Sequence, residues 1–414
     1  MAAEFKAPRG TFDVLPDQMP ARRRLLDTAG WIFARAGYRG IITPDFEDTS
    51  LFERGVGEST DIVRKEMFTF EDKGERSLTL RPEGTAPICR AYVEHGMHKL
   101  PQPVKLSYAG PFFRHERPQA GRYRQFHQIG AEAIGSDSPL ADVDVITLLS
   151  DLIDEVGVPG VELRLGSLGS IEARKEYLEE LKAHLRARSG ELSDDVAERI
   201  EVNPLRAFDS DHEGTKAVVS EAPLLLDHLD AADREHFAEV QQLLGAASIE
   251  FTIDPTLVRG LDYYTRTIFS FVCDRLGSQS EIGGGGRYDG LIGQLGGPDT
   301  PAVGWAAGIE RILLALDEPV EPAGRDLFIA VAVESERLRA VALATELRRS
   351  GLAVEIDLAG RSMKGQLRQA DRIGASHTLV FEEGGGAVLR DMESREQCPV
   401  EPSEVLGVLR PDSV

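Results

Sequence analysis

Phe113-Arg-His-Glu-Arg-Pro-Gln-Ala-Gly-Arg-Tyr-Arg-Gln-Phe-His-Gln128 places Arg114, Arg117, Arg122 and Arg124 in one short run around Pro118 and Gly121. The flanking segments 112–115 and 126–134 read as two strands joined by this polar loop. Guanidinium stays charged and donates paired hydrogen bonds to phosphate oxygens, so an arginine cluster this dense suits a polyphosphate ligand. A solvated basic hairpin is the plainer alternative, because runs of charge are ordinarily surface. Periodicity tips the balance: Gln128, Gly130 and Glu132 share one face of the second strand, and Ile129 and Ala131 share the other. An amide and a carboxylate flanking a glycine make a polar floor with room for a ligand, an unusual pattern for a face packed on a core.

Outward from this hairpin, a strand at 104–108, a strand at 38–46 interrupted by Pro44, and helices at 22–36 and 141–156 predict an antiparallel sheet flanked by helices over residues 1–170. Residues 171–247 turn to charged helical segments, 172–188 and 230–244, which predicts a helical insertion. Strand patterns return at 258–272 and 281–286, with Leu276-Gly277-Ser278 as a hairpin turn, and a helix follows at 305–316, so the core resumes over 248–320. The proline-rich stretch 318–325 reads as a linker. Beyond it, strands at 327–333, 353–356 and 377–381 alternate with helices at 336–350 and 362–373, which predicts a small α/β domain over 325–414. The fold class is therefore α+β with a helical insertion and a C-terminal α/β domain. In that last domain Arg361, Lys364, Arg368 and Arg372, at spacings of three, four and four, predict a basic stripe on one helix with Gln369 alongside. Solvated helix faces carry such stripes too.

A chain of 414 residues has room for two or three domains, and 42% hydrophobic with 28% charged residues is an ordinary globular balance. The formal charge of −22 excludes a protein that holds nucleic acid by bulk electrostatics, so any RNA contact must be local. The opening ten residues do not read as a secretory signal, and no apolar run reaches the roughly 20 residues that span a bilayer. A cytoplasmic location is the expectation. Cys89, Cys273 and Cys398 lie far apart without CxxC spacing, which argues against both a disulfide framework and a zinc site. The glycine run 283–290 fits neither the dinucleotide GxGxxG pattern nor a phosphate-binding GxxxxGK[ST] loop.

The arginine hairpin resembles motif 2 of class II aminoacyl-tRNA synthetases, in the form found in histidyl-tRNA synthetases. Other blocks carry the same resemblance in the same order. Pro8-Arg-Gly-Thr-Phe-Asp-Val-Leu-Pro16 is similar to the family's N-terminal signature, Val56-Gly-Glu-Ser-Thr-Asp61 to the segment after motif 1, and Thr79-Leu-Arg-Pro-Glu-Gly-Thr85 to the amino-acid-binding loop. Val258-Arg-Gly-Leu-Asp-Tyr-Tyr-Thr265 and Ile282-Gly-Gly-Gly-Gly-Arg-Tyr-Asp-Gly290 resemble the two histidine-specific motifs, and Val303-Gly-Trp-Ala-Ala-Gly-Ile-Glu-Arg311 resembles motif 3. Gly360-Arg-Ser-Met-Lys-Gly-Gln366 resembles the anticodon-binding domain shared by several class II enzymes.

The resemblance implies ATP-dependent activation of L-histidine, with Mg²⁺ accompanying ATP, followed by transfer to tRNA(His). It implies that Arg114 and Arg259 contact the α-phosphate and the carboxylate, although a surface pair with Asp262 is the plainer reading of Arg259. It places Arg311 on the γ-phosphate side, Phe126 on adenine, and Glu116 and Arg122 in the ATP site. Glu83 and Thr85 are implied to hold the substrate ammonium, with Gln128, Glu132, Tyr263, Tyr264 and Tyr288 reading the rest of histidine. Arg117, Gln119, Arg361, Lys364 and Arg368 are implied to meet tRNA. No protein-held metal and a two-fold homodimer are expected. The glycine run is expected to let backbone approach the substrates. Two departures stand out: Phe269-Ser270 where the family usually has Phe-Glu, and Trp305 and Ile309 within motif 3. The rival readings are a regulatory paralogue that binds histidine without charging tRNA, another class II synthetase, and a non-catalytic scaffold.

Overall fold

In a computed structural model, which describes residues 5–57, 60–316, 324–382 and 386–410, the chain divides into two compact units, Met1–Val320 and Glu321–Val414. Strands of the first unit are, in chain order, β1 (Arg39–Gly40), β2 (Phe46–Asp48), β3 (Phe68–Glu71), β4 (Ser77–Leu80), β5 (Val104–Phe113), β6 (Gln125–Ile134), β7 (Val161–Ser167), β8 (Thr252–Ile253), β9 (Thr265–Cys273), β10 (Glu281–Arg287) and β11 (Ala302–Gly308). One sheet runs β1-β5-β6-β11-β10-β9-β7-β8, antiparallel through its centre, with parallel pairs only at the β1–β5 and β7–β8 edges. A small sheet, β2-β4-β3, stands beside it.

Alternation divides the large sheet into two environments. On one face Ile129, Ala131, Phe269, Phe271 and Trp305 form a core with two helices, Met19–Arg35 and Pro139–Val156. Leu25, Ala29, Ile32 and Phe33 recur at helical spacing to make the buried stripe of the first helix, which ends before Gly37 at φ 80°. The other face carries Tyr108, Tyr263, Tyr264 and Tyr288 and receives the helix Thr85–Glu94.

Several sequence expectations shift. Only two residues of 38–46 pair with β5; beyond them Arg81 Nη1 donates to the carbonyls of Thr43 at 2.8 Å and Pro44 at 3.4 Å, so a side chain takes acceptors that a strand neighbour would use. Residues 258–264 form a loop, and the strand begins at Thr265. The helix expected from Trp305 begins at Ile309, because 302–308 lie between β6 and β10 as a strand. A short apolar run does not by itself distinguish buried strand from helix. The connection expected as a hairpin turn at 276–278 is a 3₁₀ stretch, Asp274–Gln279, in which Gly277 takes φ 64°. Within 171–247 the helices Ile171–Ala187, Asp194–Arg199, Glu213–Val219 and Ala231–Ala246 do not enclose a separate core: Phe237, Val240 and Leu244 join the helix-covered face, and Tyr177, Leu181 and Leu185 join the other.

The second unit has β12 (Arg325–Val331), β13 (Val354–Ile356), β14 (Ala375–Phe381), β15 (Ala387–Asp391) and β16 (Gln397–Pro399), ordered β13-β12-β14-β15-β16. Leu327 and Ile329 pack with the helix Arg337–Arg349, whereas Phe328 and Ala330 share a cluster with Ala370 of the helix Met363–Arg372. The helices therefore cover opposite faces of β12. The two antiparallel strands β15 and β16 are additions to the sequence reading. Most of the predicted linker, 318–323, lies outside the described residues, as do Glu58 and Ser59 of the segment after motif 1.

Arg287, at the end of β10, fixes the sheet to its helical layer. Its side chain and that of Asp142 are both 0% exposed, joined at 2.6 Å, while the carbonyls of Ser136 and Ser138 accept further bonds at 2.9 and 2.8 Å. His236 approaches the same carboxylate at 3.3 Å. Asp142→Ala removes the closest counter-charge of a buried guanidinium, leaving Asp289 at 3.3 Å, and is expected to destabilise the first unit by about 3 kcal/mol; a chemical-denaturation midpoint equal to the parent's contradicts this.

Candidate active site

Between the polar face of β6, the 258–264 loop and the arginine hairpin lies a cavity of about 290 Å³. Glu83, Thr85, Arg114, Glu116, Arg122, Phe126, Gln128, Arg259, Tyr263, Tyr264 and Arg311 all line it. Segments separated by more than two hundred residues thus converge where the sequence motifs point. Glu132 and Tyr288 do not line it. They lie one layer below, with Tyr288 donating to Glu132 Oε2 at 2.5 Å and the Thr85 hydroxyl donating to Oε1 at 2.9 Å. The space above Gly130 goes to Tyr108, whose Cζ would sit 2.2 Å from a Cβ there, so the vacancy expected at that glycine is filled by a tyrosine that the sequence reading did not single out.

Each lining group has a local cause for its position. Glu83 accepts from the backbone amides of Thr85 and Ala86 at 2.8 Å each and so closes the N-terminus of the helix Thr85–Glu94. Burial pushes its carboxyl above the ordinary range. Arg114 Nε donates to the Pro82 carbonyl at 2.9 Å, and its guanidinium lies over the Phe126 ring at 5.3 Å. At the hairpin tip, Gln119 and Arg122 exchange backbone hydrogen bonds of 3.0 and 2.9 Å around Gly121, at φ 72°. Arg122 turns back to pair with Glu116, which Arg114 also approaches at 3.7 Å, while Arg117 and Gln119 project into solvent. Arg311 donates to the Gly121 carbonyl at 3.0 Å and to the Glu281 carbonyl at 2.8 Å.

Arg259 is not the surface partner of Asp262. Its Nη1 meets Glu281 Oε2 at 2.5 Å, with the guanidinium 5.8 Å over the Tyr264 ring. Burial, the largest single influence, would lower this cation, but the Glu281 charge and hydrogen bond together with Tyr264 and Tyr263 outweigh it and the group is raised. Among the described residues, four buried polar atoms of lining residues have no hydrogen-bond partner: Gln128 Oε1, Tyr108 OH, Arg259 Nε and Glu116 Oε2, the last ion-paired with Arg122. Buried polar groups are nearly always paired, so an acceptor, a hydroxyl and a cationic donor left open around one cavity mark a place for a polar, anionic ligand. Among the described residues no group of three or more His, Cys, Asp or Glu side chains is arranged to hold a metal, and no helix is long and apolar enough to cross a membrane.

In the second unit, Lys364, Arg368 and Arg372 are exposed on the helix Met363–Arg372, but Arg361 precedes that helix and pairs with Asp357 at 2.6 Å. The basic stripe is one cation shorter than its spacing promised. Gln366 is buried and clamps β12 through the Val331 amide and carbonyl, at 2.8 and 3.0 Å.

Residues 10–312 match the family model described as histidyl-tRNA synthetase. The chain belongs to the histidyl-tRNA synthetase family. Residues 326–411 match the anticodon binding domain model. The chain is 48% identical to the histidine–tRNA ligase of Rubrobacter xylanophilus over 95% of this chain and 96% of that one, and 47% identical to that of Thermosynechococcus vestitus over 97% and 96%. Among solved structures, an apo histidyl-tRNA synthetase from S. aureus superposes with a TM-score of 0.82 at 35% identity, covering 98% of this chain and all of that one. A Bacillus halodurans protein described as an ATP phosphoribosyltransferase regulatory subunit/histidyl-tRNA synthetase shares the fold, with a TM-score of 0.68 at 22% identity over 92% of this chain and 99% of that one.

Desolvation pushes the Glu132 carboxyl from 4.5 up to about 8, outweighing the hydrogen bonds from Tyr288 and Thr85 that favour its charge. The folded chain therefore holds a proton there that the unfolded chain releases near pH 4.5. This stabilisation is complete below the unfolded value and is lost as pH rises through the folded one. Between pH 5 and 8 the parent is expected to lose stability relative to Glu132→Gln by up to about 1.4 kcal/mol per unit. Parallel stability–pH curves for the two proteins would refute this assignment.

Proposed function

We propose that the chain activates L-histidine with ATP and transfers it to the 3′ end of tRNA(His). The observation that carries this reading is the convergence of Arg114, Arg259 and Arg311 on a cavity whose open polar atoms include the Arg259 Nε and the Gln128 carbonyl. In the first step a carboxylate oxygen of histidine attacks the α-phosphorus of ATP and pyrophosphate leaves. No protein nucleophile is needed, and the catalytic work is alignment and stabilisation of phosphate charge. Arg259 and Arg114 take the α-phosphate and carboxylate, Arg311 the γ-phosphate side, and Phe126 stacks on adenine beside Glu116 and Arg122. Mg²⁺ enters as the counter-ion of ATP, as part of the substrate.

Glu83 and Thr85 hold the ammonium group. Gln128, Tyr263 and Tyr264 read the substrate from the wall, and Glu132 with Tyr288 act from behind Thr85 by fixing the polarity of the floor. A site that pairs both imidazole nitrogens rejects analogues lacking them by a factor on the order of 10⁴. In the second step a ribose hydroxyl of the tRNA terminus attacks the activated carbonyl and AMP leaves. Arg117 and Gln119 approach the acceptor end, while Lys364 and Arg368, with Arg361 once released from Asp357, meet the anticodon arm. A cytoplasmic homodimer completes the reading.

Pyrophosphate exchange that depends on histidine, and not on proline or threonine, tests the first step; exchange-silent, folded protein that still binds histidine would point instead to a regulatory paralogue. Arg259→Ala is expected to lower the exchange rate by about 10²–10³-fold with an unchanged melting curve, and near-parental turnover removes Arg259 from the mechanism. Lys364→Ala/Arg368→Ala is expected to raise the KM for tRNA while exchange stays at the parental rate. A tRNA KM equal to the parent's would detach this helix from tRNA recognition.

A further inference from the structure

Ser270 stands where the family usually has glutamate, and the structure supplies a carboxylate at the same place from the neighbouring strand. Ser270 pairs with Gly284 across β9 and β10, so regular alternation would set residue 282 opposite Val272. Glu281 is found there instead, with one extra residue absorbed between positions 281 and 283. This β-bulge leaves Ile282 in the core cluster and brings Glu281 to the side of Ser270, which is what such insertions do to a side chain's direction. The Ser270 hydroxyl donates to Glu281 Oε2 at 2.8 Å, and the same oxygen receives Arg259 Nη1 at 2.5 Å.

Glu281 also acts through its backbone, because its carbonyl accepts from Arg311 Nη1 at 2.8 Å. One residue thereby holds two cations that come from an irregular loop and from the helix Ile309–Ala315. Gly284 keeps the lane open: a Cβ there would meet Arg259 Nη1 at 2.8 Å. Nη1 is taken by Glu281, and Nε has no hydrogen-bond partner among the described residues. Arginine has many rotamers, and a guanidinium that must meet a phosphate in line is effective only if most of them are removed beforehand.

We propose that Glu281, oriented by Ser270 on the β10 bulge, is a positioning residue for adenylation that fixes the Arg259 guanidinium at the α-phosphate and sets its spacing from Arg311. This rests on the reading of Arg259 as the α-phosphate contact. The exchange assay on the full chain separates the two. Glu281→Gln preserves shape and is expected to lower kcat about 10–100-fold, with a smaller change in the KM for histidine and an unchanged melting curve. Added to Arg259→Ala, it is expected to cost nothing more, since both act through one group. The exchanged chain Ser270→Glu/Glu281→Ser is expected to recover rate over Glu281→Ser alone, because a carboxylate grown from position 270 reaches the same guanidinium.

Parental kcat in Glu281→Gln beside a dead Arg259→Ala overturns the positioning role and leaves the reading of Arg259 standing. Full activity in Arg259→Ala overturns that reading itself. A loss that multiplies in the Arg259→Ala background, or an exchanged chain no faster than Glu281→Ser, also overturns the positioning role.

Discussion

The register of β6 between β5 and β11 is the constraint on which the site depends. With Ile129 and Ala131 committed to the helix-covered core, Gln128, Gly130 and Glu132 have no choice but the opposite face. A slip of one residue would exchange the two sets, exposing apolar side chains to the cavity and burying the amide and carboxylate among helices. Pairing on both sides, ten residues with β5 and seven with β11, makes that slip costly and gives the catalytic floor the rigidity of a central strand. Loops supply the charged groups, but the sheet determines where the loops start.

An acidic protein that handles triphosphate has to gather cations without leaving them unpaired in the empty site. Here the solution is borrowed carboxylates: Arg122 rests on Glu116, Arg259 on Glu281, and the chain keeps its net charge of −22 elsewhere. These carboxylates also restrict where each guanidinium can point, so the cost of ordering long side chains is met in folding and not at substrate binding. Arg311 donates to the carbonyls of Gly121 and Glu281, and burial, the largest influence, lowers its affinity for its proton against the opposing Glu281 charge. A polyanion entering this cavity meets donors already aimed and partly desolvated, the condition under which electrostatic contacts are strong.

Most of the site was legible in the sequence because its residues lie in short motifs whose chemistry is dense. The arginine hairpin is dense enough in residue type alone to suggest phosphate, and period two on β6 separates the helix-covered core from the opposite face, although of Gln128, Gly130 and Glu132 on that face only Gln128 lines the cavity. Tyr108 escaped notice because nothing in the sequence of β5 says that its ring will lie over Gly130 of the next strand. Glu281 escaped because its direction depends on a bulge, and a register irregularity leaves no mark on hydrophobic alternation when the neighbours are glycines. Arg361 was grouped with the helix by spacing, yet spacing cannot reveal that Asp357 holds it outside the first turn. Residues 305–308, the second half of a strand, read as the start of a helix for a related reason, since apolar content records burial and not backbone geometry.

The glycine run 283–286 shows how such a site is assembled. Gly283 and Gly284 line the cavity, and the run also serves strand packing. A Cβ at Gly285 would lie 1.9 Å from the Gly304 carbonyl, and one at Gly283 would lie 2.6 Å from the Ala307 side chain, so the neighbouring strand already occupies the space. Close approach of β11 to β10 draws the start of the motif 3 helix, and Arg311 with it, toward Glu281. The same lack of side chains lets β10 accommodate an extra residue at low cost, because glycine tolerates the distorted backbone of a bulge. Strand packing and charge placement are thus two results of one local composition: the glycines bring β11 close enough to deliver one arginine and leave β10 pliable enough to turn a carboxylate onto another.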